Sequence, residues 1–312
     1  REMIHTLKLQ GMNQHAISSS LAISQSTISR EFRRNSLSKN KYSPSNANYW
    51  ASIRRSFSKS KRPKWFSNTK LLSYVLEKLK QYWSPDQISK TIRLDFPDKH
   101  LMTISHEAIY QYVLADKKLG GSLFKYLRQS NKKRKKRYGS KNSRGIIPNR
   151  KSIHDRPDIV DRKERIGDWE SDLVIAKNHK GAIATYVDRK TKLLIAMKME
   201  SQSADEMLLK TKEAFRKIPK RFRKTMTHDN GREIAKHQEI SKAIKIDIYC
   251  ADPYSSWQRG LNENTNGLLR QFFPKKTDFS KITQVDIDIV VSLINNRPRK
   301  SLNYRTPFQL FN

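Results

Sequence analysis

The sequence predicts a multidomain protein in which N-terminal all-α helix-turn-helix modules precede an α/β domain with a mixed sheet. Three observations carry that expectation. Apolar residues recur at helical spacing in two stretches of the first 128 residues, a strongly basic run follows, and after Pro157 the pattern changes to short strands. Those strands come first in succession and then alternate with helices, which is the order of a mixed sheet. At 312 residues there is room for two or three domains. Composition places their boundaries at 1–60, 61–128, 129–156 and 157–312.

Lys and Arg number 64 against 29 Asp and Glu, a net charge of +35. Residues 1–150 hold 32 basic and 8 acidic side chains (+24), and residues 151–312 hold 32 and 21 (+11), so a polyanion-binding surface is expected mainly in the first half. No long apolar span and no secretory-type leader is present, so a soluble, cytoplasmic and nucleoid-associated protein without a membrane partner is expected. The single cysteine, Cys250, excludes an internal disulfide and a cysteine-based zinc finger.

The first module, "REMIHTLKLQGMNQHAISSSLAISQSTISREFRRNS", has apolar ladders at Met3, Ile4 and Leu7, at Ile17 and Leu21, and at Ile28 and Phe32, with a break at Gly11. A tight connection at Ala22 and Ile23 and an N-cap at Ser24 complete a helix-turn-helix. Its last helix carries Ser26, Thr27, Arg30, Arg33 and Arg34, groups able to reach phosphates and base edges. The bland alternative is a three-helix bundle with a solvated basic face. Residues 36–66, rich in Ser, Asn, Lys and Arg, read as a looser segment.

"WSPDQISKTI" then opens with Ser84 as N-cap, Pro85 at the first helical position and Gln87 closing a capping box. "ISHEAIYQYV" opens again at Ser105, and Ser105 and His106 are further candidate DNA contacts. Two capped helices suggest a second helix-turn-helix, with a long connection between them. The run "NKKRKKRYGSKNSR" holds eight basic and no acidic residues and will not bury itself. It reads as a linker that tracks DNA backbone through Lys132, Lys133, Arg134, Lys135, Lys136 and Arg137.

Beyond it, "GDWESDLVIA" reads as one strand and "GAIATYVDRKTKLLIAMKM" as two with a turn near "DRKT". "SADEMLLKTKEAFRKI" reads as a helix, "FRKTMTHDNG" as a strand ending in a turn, "REIAKHQEISKAI" as a helix and "KIDIYC" as a strand. "NENTNGLLRQFF" reads as a helix, and "ITQVDIDIVVSLINNRP" as a last one stopped by Pro298.

In the first strand Asp168, Glu170 and Asp172 alternate and so share one face, which is costly to bury unless each charge is paired or holds metal. Asp172, beside the apolar "LVIA", reads as the acid held deep and rigid; Asp168 and Glu170 read as solvated acids where the strand begins. Asp229 lies at the C-terminal end of a strand leading into a helix, where open α/β sheets gather functional groups. Glu263 lies near the start of the helix after the "KIDIYC" strand. Breaking a phosphodiester and joining its 3′ hydroxyl elsewhere needs an activated attacking oxygen and a stabilised leaving oxygen. Two Mg²⁺ ions roughly 3.5–4 Å apart supply both and demand hard oxygen ligands.

These stretches together resemble the DDE transposases of the insertion-sequence-thirty (IS-30) group. The resemblance runs through "STISREFRRN", "WSPDQIS" with "ISHEAIY", "WESDLV", "HDNGREIAKH", and most specifically "CADPYSSWQRGLNENTNGLLRQFFPKKTDFS" followed by "LINNRPRKSLNYRTPFQLF". It implies a ribonuclease-H-like (retroviral-integrase-type) catalytic domain with a mixed five-stranded sheet. Asp172, Asp229 and Glu263 would be its catalytic and metal-ligating acids, and 33 residues separate the last two (263 − 229 − 1) as in the family. Trp257 and Arg259, in the motif leading to the third acid, are further candidate DNA contacts. The implied function is binding of terminal inverted repeats followed by Mg²⁺-dependent cleavage and strand transfer, two ions per site with Mn²⁺ able to substitute. A homodimer on double-stranded DNA and a joined-ends intermediate are also implied. Three positions depart from the family pattern: Ser171 stands for Gly, His228 for Trp or another apolar aromatic, and Ser256 for the Pro of Ser-Pro-Trp. None removes a ligand. A helix-turn-helix transcription regulator with an inactive C-terminal domain, and a ribonuclease-H-type nuclease without joining activity, are the alternatives. Short inverted repeats flanking the gene distinguish a transposase from both.

Overall fold

The computed structural model describes residues 1–36, 41–59, 68–128, 150–176, 181–229, 231–253, 255–275 and 277–311, with backbone alone at 56–59, 232 and 256. The basic run Lys132–Arg137 lies outside the described residues. The chain forms two compact units, Arg1–Thr69 and Lys70–Asn312. No helix among the described residues is long and apolar enough to cross a membrane.

The first unit holds α1 (Glu2–Leu9), α2 (Gln14–Ser20), α3 (Gln25–Asn35) and α4 (Pro44–Lys59). Ile4, Ile17 and Ile28, one from each sequence ladder, meet in a single core with Tyr42 and Ala47. Gly11 (φ +79) ends the first ladder, and Ala22 (φ +53) makes the α2–α3 turn. Ser24 occupies the N-cap of α3, but its hydroxyl bonds the Thr27 hydroxyl at 2.8 Å instead of a backbone amide. The expectation of a loose segment from residue 36 is overturned by α4. Tyr42 packs edge-on against Phe32 at 5.0 Å and Ala47 is fully buried. That tertiary burial overrides the weak helix preference of a Ser- and Asn-rich stretch.

The second unit begins with α5 (Thr69–Lys80), α6 (Pro85–Asp95) and α7 (His106–Lys118). The Ser84–Gln87 capping box is complete: the Gln87 amide donates to the Ser84 hydroxyl at 3.3 Å and the Ser84 amide to the Gln87 side chain at 2.8 Å. Gln87 also donates to the Pro298 carbonyl at 2.6 Å, and the Tyr304 hydroxyl to Asp86 at 3.0 Å. The second helical module is thus docked on the α/β domain.

That domain follows a short α8 (Ile159–Arg162). Its strands are β1 (Asp168–Ile175), β2 (Ala182–Asp188), β3 (Leu194–Met199), β4 (Thr225–His228) and β5 (Asp247–Cys250), in the order β3-β2-β1-β4-β5. β1, β2 and β3 pair antiparallel, and β4 and β5 add parallel to β1, giving the mixed five-stranded ribonuclease-H-like sheet. On one face α9 (Ala204–Phe215) and α10 (His237–Ile244) bury Trp169, Met207, Phe215 and Ile240. On the other, α11 (Gly260–Phe272) and α12 (Gln284–Asn295) bury Val174, Ile183, Leu269 and Ile287. A short α13 (Pro307–Phe311) closes the chain, with Phe311 packed on Trp169. The helix expected over "REIAKHQEISKAI" is divided, with a 3-10 turn at Arg232–Ile234 before α10, and both Ile234 and Ile240 are buried.

Candidate active site

β1 runs down the middle of the sheet, and its even-numbered residues face α11. Asp168 is fully buried: Arg165 grips both its oxygens, Nε at 2.9 Å and Nη2 at 3.0 Å, and the Thr225 hydroxyl donates to it at 2.8 Å. Glu170 is 2% exposed and paired with Arg189 at 2.7 Å, while its other oxygen accepts the Asn262 amide of α11 at 3.1 Å. Both acids are therefore structural and buried, a correction to their reading as solvated. The arginines that make burial tolerable are remote in sequence or hidden among many other basic residues. Burial pushes the Glu170 carboxyl up despite the Arg189 charge beside it.

Asp172, expected to be the acid held deepest, is instead the most open of the three, at 26% side-chain exposure, because it lies where β1 opens onto a cavity. The parallel register Glu170↔Thr227, continued two residues, brings it level with Asp229 at the end of β4. Both carboxylates converge on the Arg259 guanidinium, Nη1 lying 3.3 Å from Asp172 Oδ1 and Nη2 3.5 Å from Asp229 Oδ2. Nη1 also donates to the Ser171 carbonyl at 3.1 Å. Asn266 donates to the second oxygen of Asp172 at 2.7 Å. Burial raises the pKa of Asp172; Arg259 opposes this and Asp229 adds to it.

Glu263 sits exposed in the first turn of α11. It shares with Asp172, Arg259, Asn266 and Arg270 the lining of an open cavity of about 430 Å³. Positions 263, 266, 267 and 270 lie on one helical face, a spacing through which Asn266 and Arg270 could have been found in the sequence. Arg270 is tethered by a 2.7 Å bond to the Ile175 carbonyl. Among the described residues no group of three His, Cys, Asp or Glu side chains is arranged to hold one metal ion. The donor set is nevertheless of the hard-oxygen kind a divalent cation takes, and two of its members already share a cation.

The other candidate DNA contacts are dispersed. Ser26, Thr27, Arg30, Arg33 and Arg34 are all exposed on α3, with Arg30 bonded back to Ser26 at 3.1 Å. Ser105 is the N-cap of α7, taking the Ala108 amide at 3.1 Å, and His106 begins that helix exposed. Trp257 is 74% exposed on the 3-10 turn Ser256–Arg259. Two of the family departures have a common consequence: among the described residues, buried Ser171 Oγ and His228 Nε2 meet no hydrogen-bond partner. Burial, with Arg259 and His237 nearby, pushes the His228 pKa down to about 3.

Residues 162–256 match the family described as Integrase core domain. The chain is 41% identical to the transposase for insertion sequence element IS4351 of Bacteroides fragilis, covering 96% of this chain and 90% of that protein. It is 38% identical to transposase InsI for insertion sequence element IS30C of Escherichia coli K12 (99% and 81%). It is 36% identical to the transposase for insertion sequence element IS1086 of Cupriavidus metallidurans (99% and 92%).

Two stability effects follow from this geometry. Glu170→Ala removes the buried counter-charge of Arg189, which then keeps the Val160 carbonyl and the exposed Asp161 carboxylate, so urea denaturation is expected to show a loss of about 3 kcal/mol. Glu170→Gln, which keeps an acceptor for Asn262, is expected to lose less; negligible losses in both would mean the pair contributes nothing. For His228 the folded pKa lies below the unfolded value of 6.5, so above pH 6.5 both states are neutral. As pH falls from 6.5 toward 3 the unfolded chain takes up a proton that the folded chain refuses, and stability declines. His228→Phe should flatten that decline by up to about 1.4 kcal/mol per pH unit, measured as unfolding free energy against pH. Parallel profiles for the two proteins would contradict a neutral buried imidazole.

Proposed function

The chain belongs to the IS30-type family of insertion-sequence transposases, and from that premise we propose that it is a DNA transposase that binds the terminal inverted repeats of its element and catalyses metal-dependent strand cleavage and strand transfer. The observation that carries the reading is the convergence of Asp172 and Asp229 on one cation at the ends of adjacent parallel strands, with Glu263 lining the same cavity as Asp172. Asp172, Asp229 and Glu263 would hold two Mg²⁺ ions, which when bound supply Lewis-acid activation of the attacking oxygen and stabilisation of the leaving oxygen.

The protein's own groups then have definable roles. Asn266 fixes the Asp172 carboxylate through its second oxygen. Glu170 anchors the first turn of α11 by accepting the Asn262 amide one residue before Glu263. Exposed Trp257, Arg270 at the cavity and the basic face of α3 offer stacking and phosphate contacts to DNA. The net charge of +35 favours association with any duplex, so base-edge contacts must supply discrimination. An element has two ends related by a dyad, and one acidic site accommodates one phosphodiester at a time. Two protomers on paired ends satisfy both requirements.

Gel analysis of labelled DNA carrying the inverted repeats that flank the gene, with Mg²⁺ or Mn²⁺, tests this reading. Cleavage and joining are expected from the wild type. Replacing Asp172, Asp229 or Glu263 with Ala should abolish both while leaving specific binding largely intact, and light scattering of the complex should show two protomers. Specific binding without any cleavage by the wild type would instead identify a regulator.

A further inference from the structure

Two acids brought together at the ends of β1 and β4 need a counter-charge whenever no metal is present, and the chain provides one of its own. Arg259 contacts one oxygen of each acid, Asp172 Oδ1 and Asp229 Oδ2, and Asp229 Oδ1 accepts the Gly231 amide at 3.2 Å. Asp172 Oδ2 is already held by Asn266. A divalent cation held by these carboxylates would compete with the guanidinium for them, and a +2 ion beside a retained +1 group would be repelled.

We propose that Arg259 is an internal counter-cation that fills the carboxylate pair in the metal-free protein and must leave it, for a DNA phosphate, before a divalent cation can bind there. This rests on the reading of Asp172 and Asp229 as metal ligands. The clamp is built to be exchangeable. Its two charge contacts, at 3.3 and 3.5 Å, are longer than the 2.7–3.0 Å bonds of the Arg165–Asp168 and Arg189–Glu170 pairs on the same strand. Among the described residues Arg259 Nε has no hydrogen-bond partner, so the side chain is held through its two terminal nitrogens, of which Nη1 also donates to the Ser171 carbonyl at 3.1 Å. Its backbone ends the 3-10 turn that carries the exposed Trp257, which puts the residue within reach of a nucleic acid at the surface. Release of the guanidinium to a phosphate would uncover two carboxylates together. DNA and metal would therefore bind with positive coupling, each raising the affinity of the other by the same factor. A protein free of DNA would be kept from loading metal and acting as an unguided nuclease.

The test is Mn²⁺ binding to the full-length protein, read by electron paramagnetic resonance and by the Mn²⁺-induced rise in melting temperature, with and without a short mixed-sequence duplex. Without DNA, R259Q is expected to bind Mn²⁺ about tenfold more tightly than the wild type and to gain more in melting temperature. The duplex should tighten wild-type binding by a similar factor and leave R259Q little changed. R259K, whose single ammonium cannot span both acids as the fork does, should fall between them and serves if R259Q does not fold. Equal Mn²⁺ affinity of wild type and R259Q without DNA, with D172N losing it, would overturn the counter-cation role and leave the metal site standing. Undiminished binding by D172N would overturn the metal-ligand reading itself and the inference with it.

Discussion

An ionised carboxylate buried without a counter-charge is strongly unfavourable, and β1 carries three acids on one face of a sheet that packs against α11. Each acid has its own arginine: Arg165 for Asp168, Arg189 for Glu170 and Arg259 for Asp172. The pairing is graded along the strand. At the buried end the bonds are short and the acids fully enclosed. At Asp172 the contacts lengthen, the carboxylate opens to a cavity, and its arginine is shared with a second acid. The same device that makes the strand foldable therefore leaves one carboxylate open to a cavity.

The inner pairs also place the third acid. Glu170 holds the first turn of α11 through the Asn262 amide, and Leu268 and Leu269 fix the rest of that helix against the sheet. Glu263 follows directly after Asn262, so a carboxylate buried under the site sets the position of one at its rim. Docking of the second helical module against Pro298 and Tyr304 joins a helical unit to the domain that carries these acids. The mixed sheet supplies the remaining element, because the parallel register of β4 on β1 brings Asp229 level with Asp172.

Much of this was legible in the residues. Period-two alternation in "DWESDLVI" and the Ser84 capping box depend on neighbours close in sequence, and both are present in the structure. The helix α4 was not legible, because its stability comes from Tyr42 and Ala47 packing on residues from α1 and α3, and its own composition disfavours a helix. Asp168 and Glu170 were misread for a related reason. Whether an acid at a strand start is solvated or buried depends on arginines at 165 and 189, and in a chain with 64 basic residues nothing local marks those two. The cavity partners Asn266 and Arg270 lie at helical spacing from Glu263, so the face they share was legible once Glu263 was singled out.

The central claim is that Asp172, Asp229 and Glu263 form one metal site when the protein is on DNA. Iron-mediated backbone cleavage measures this in solution: Fe²⁺ bound in place of Mg²⁺ on the protein–DNA complex, with ascorbate and peroxide, cuts the chain next to where the ion sits. The account predicts cuts clustered near residues 172, 229 and 263, suppressed by excess Mg²⁺. Cuts at one or two of these positions with none near Glu263, or cuts elsewhere that Mg²⁺ suppresses, would contradict it.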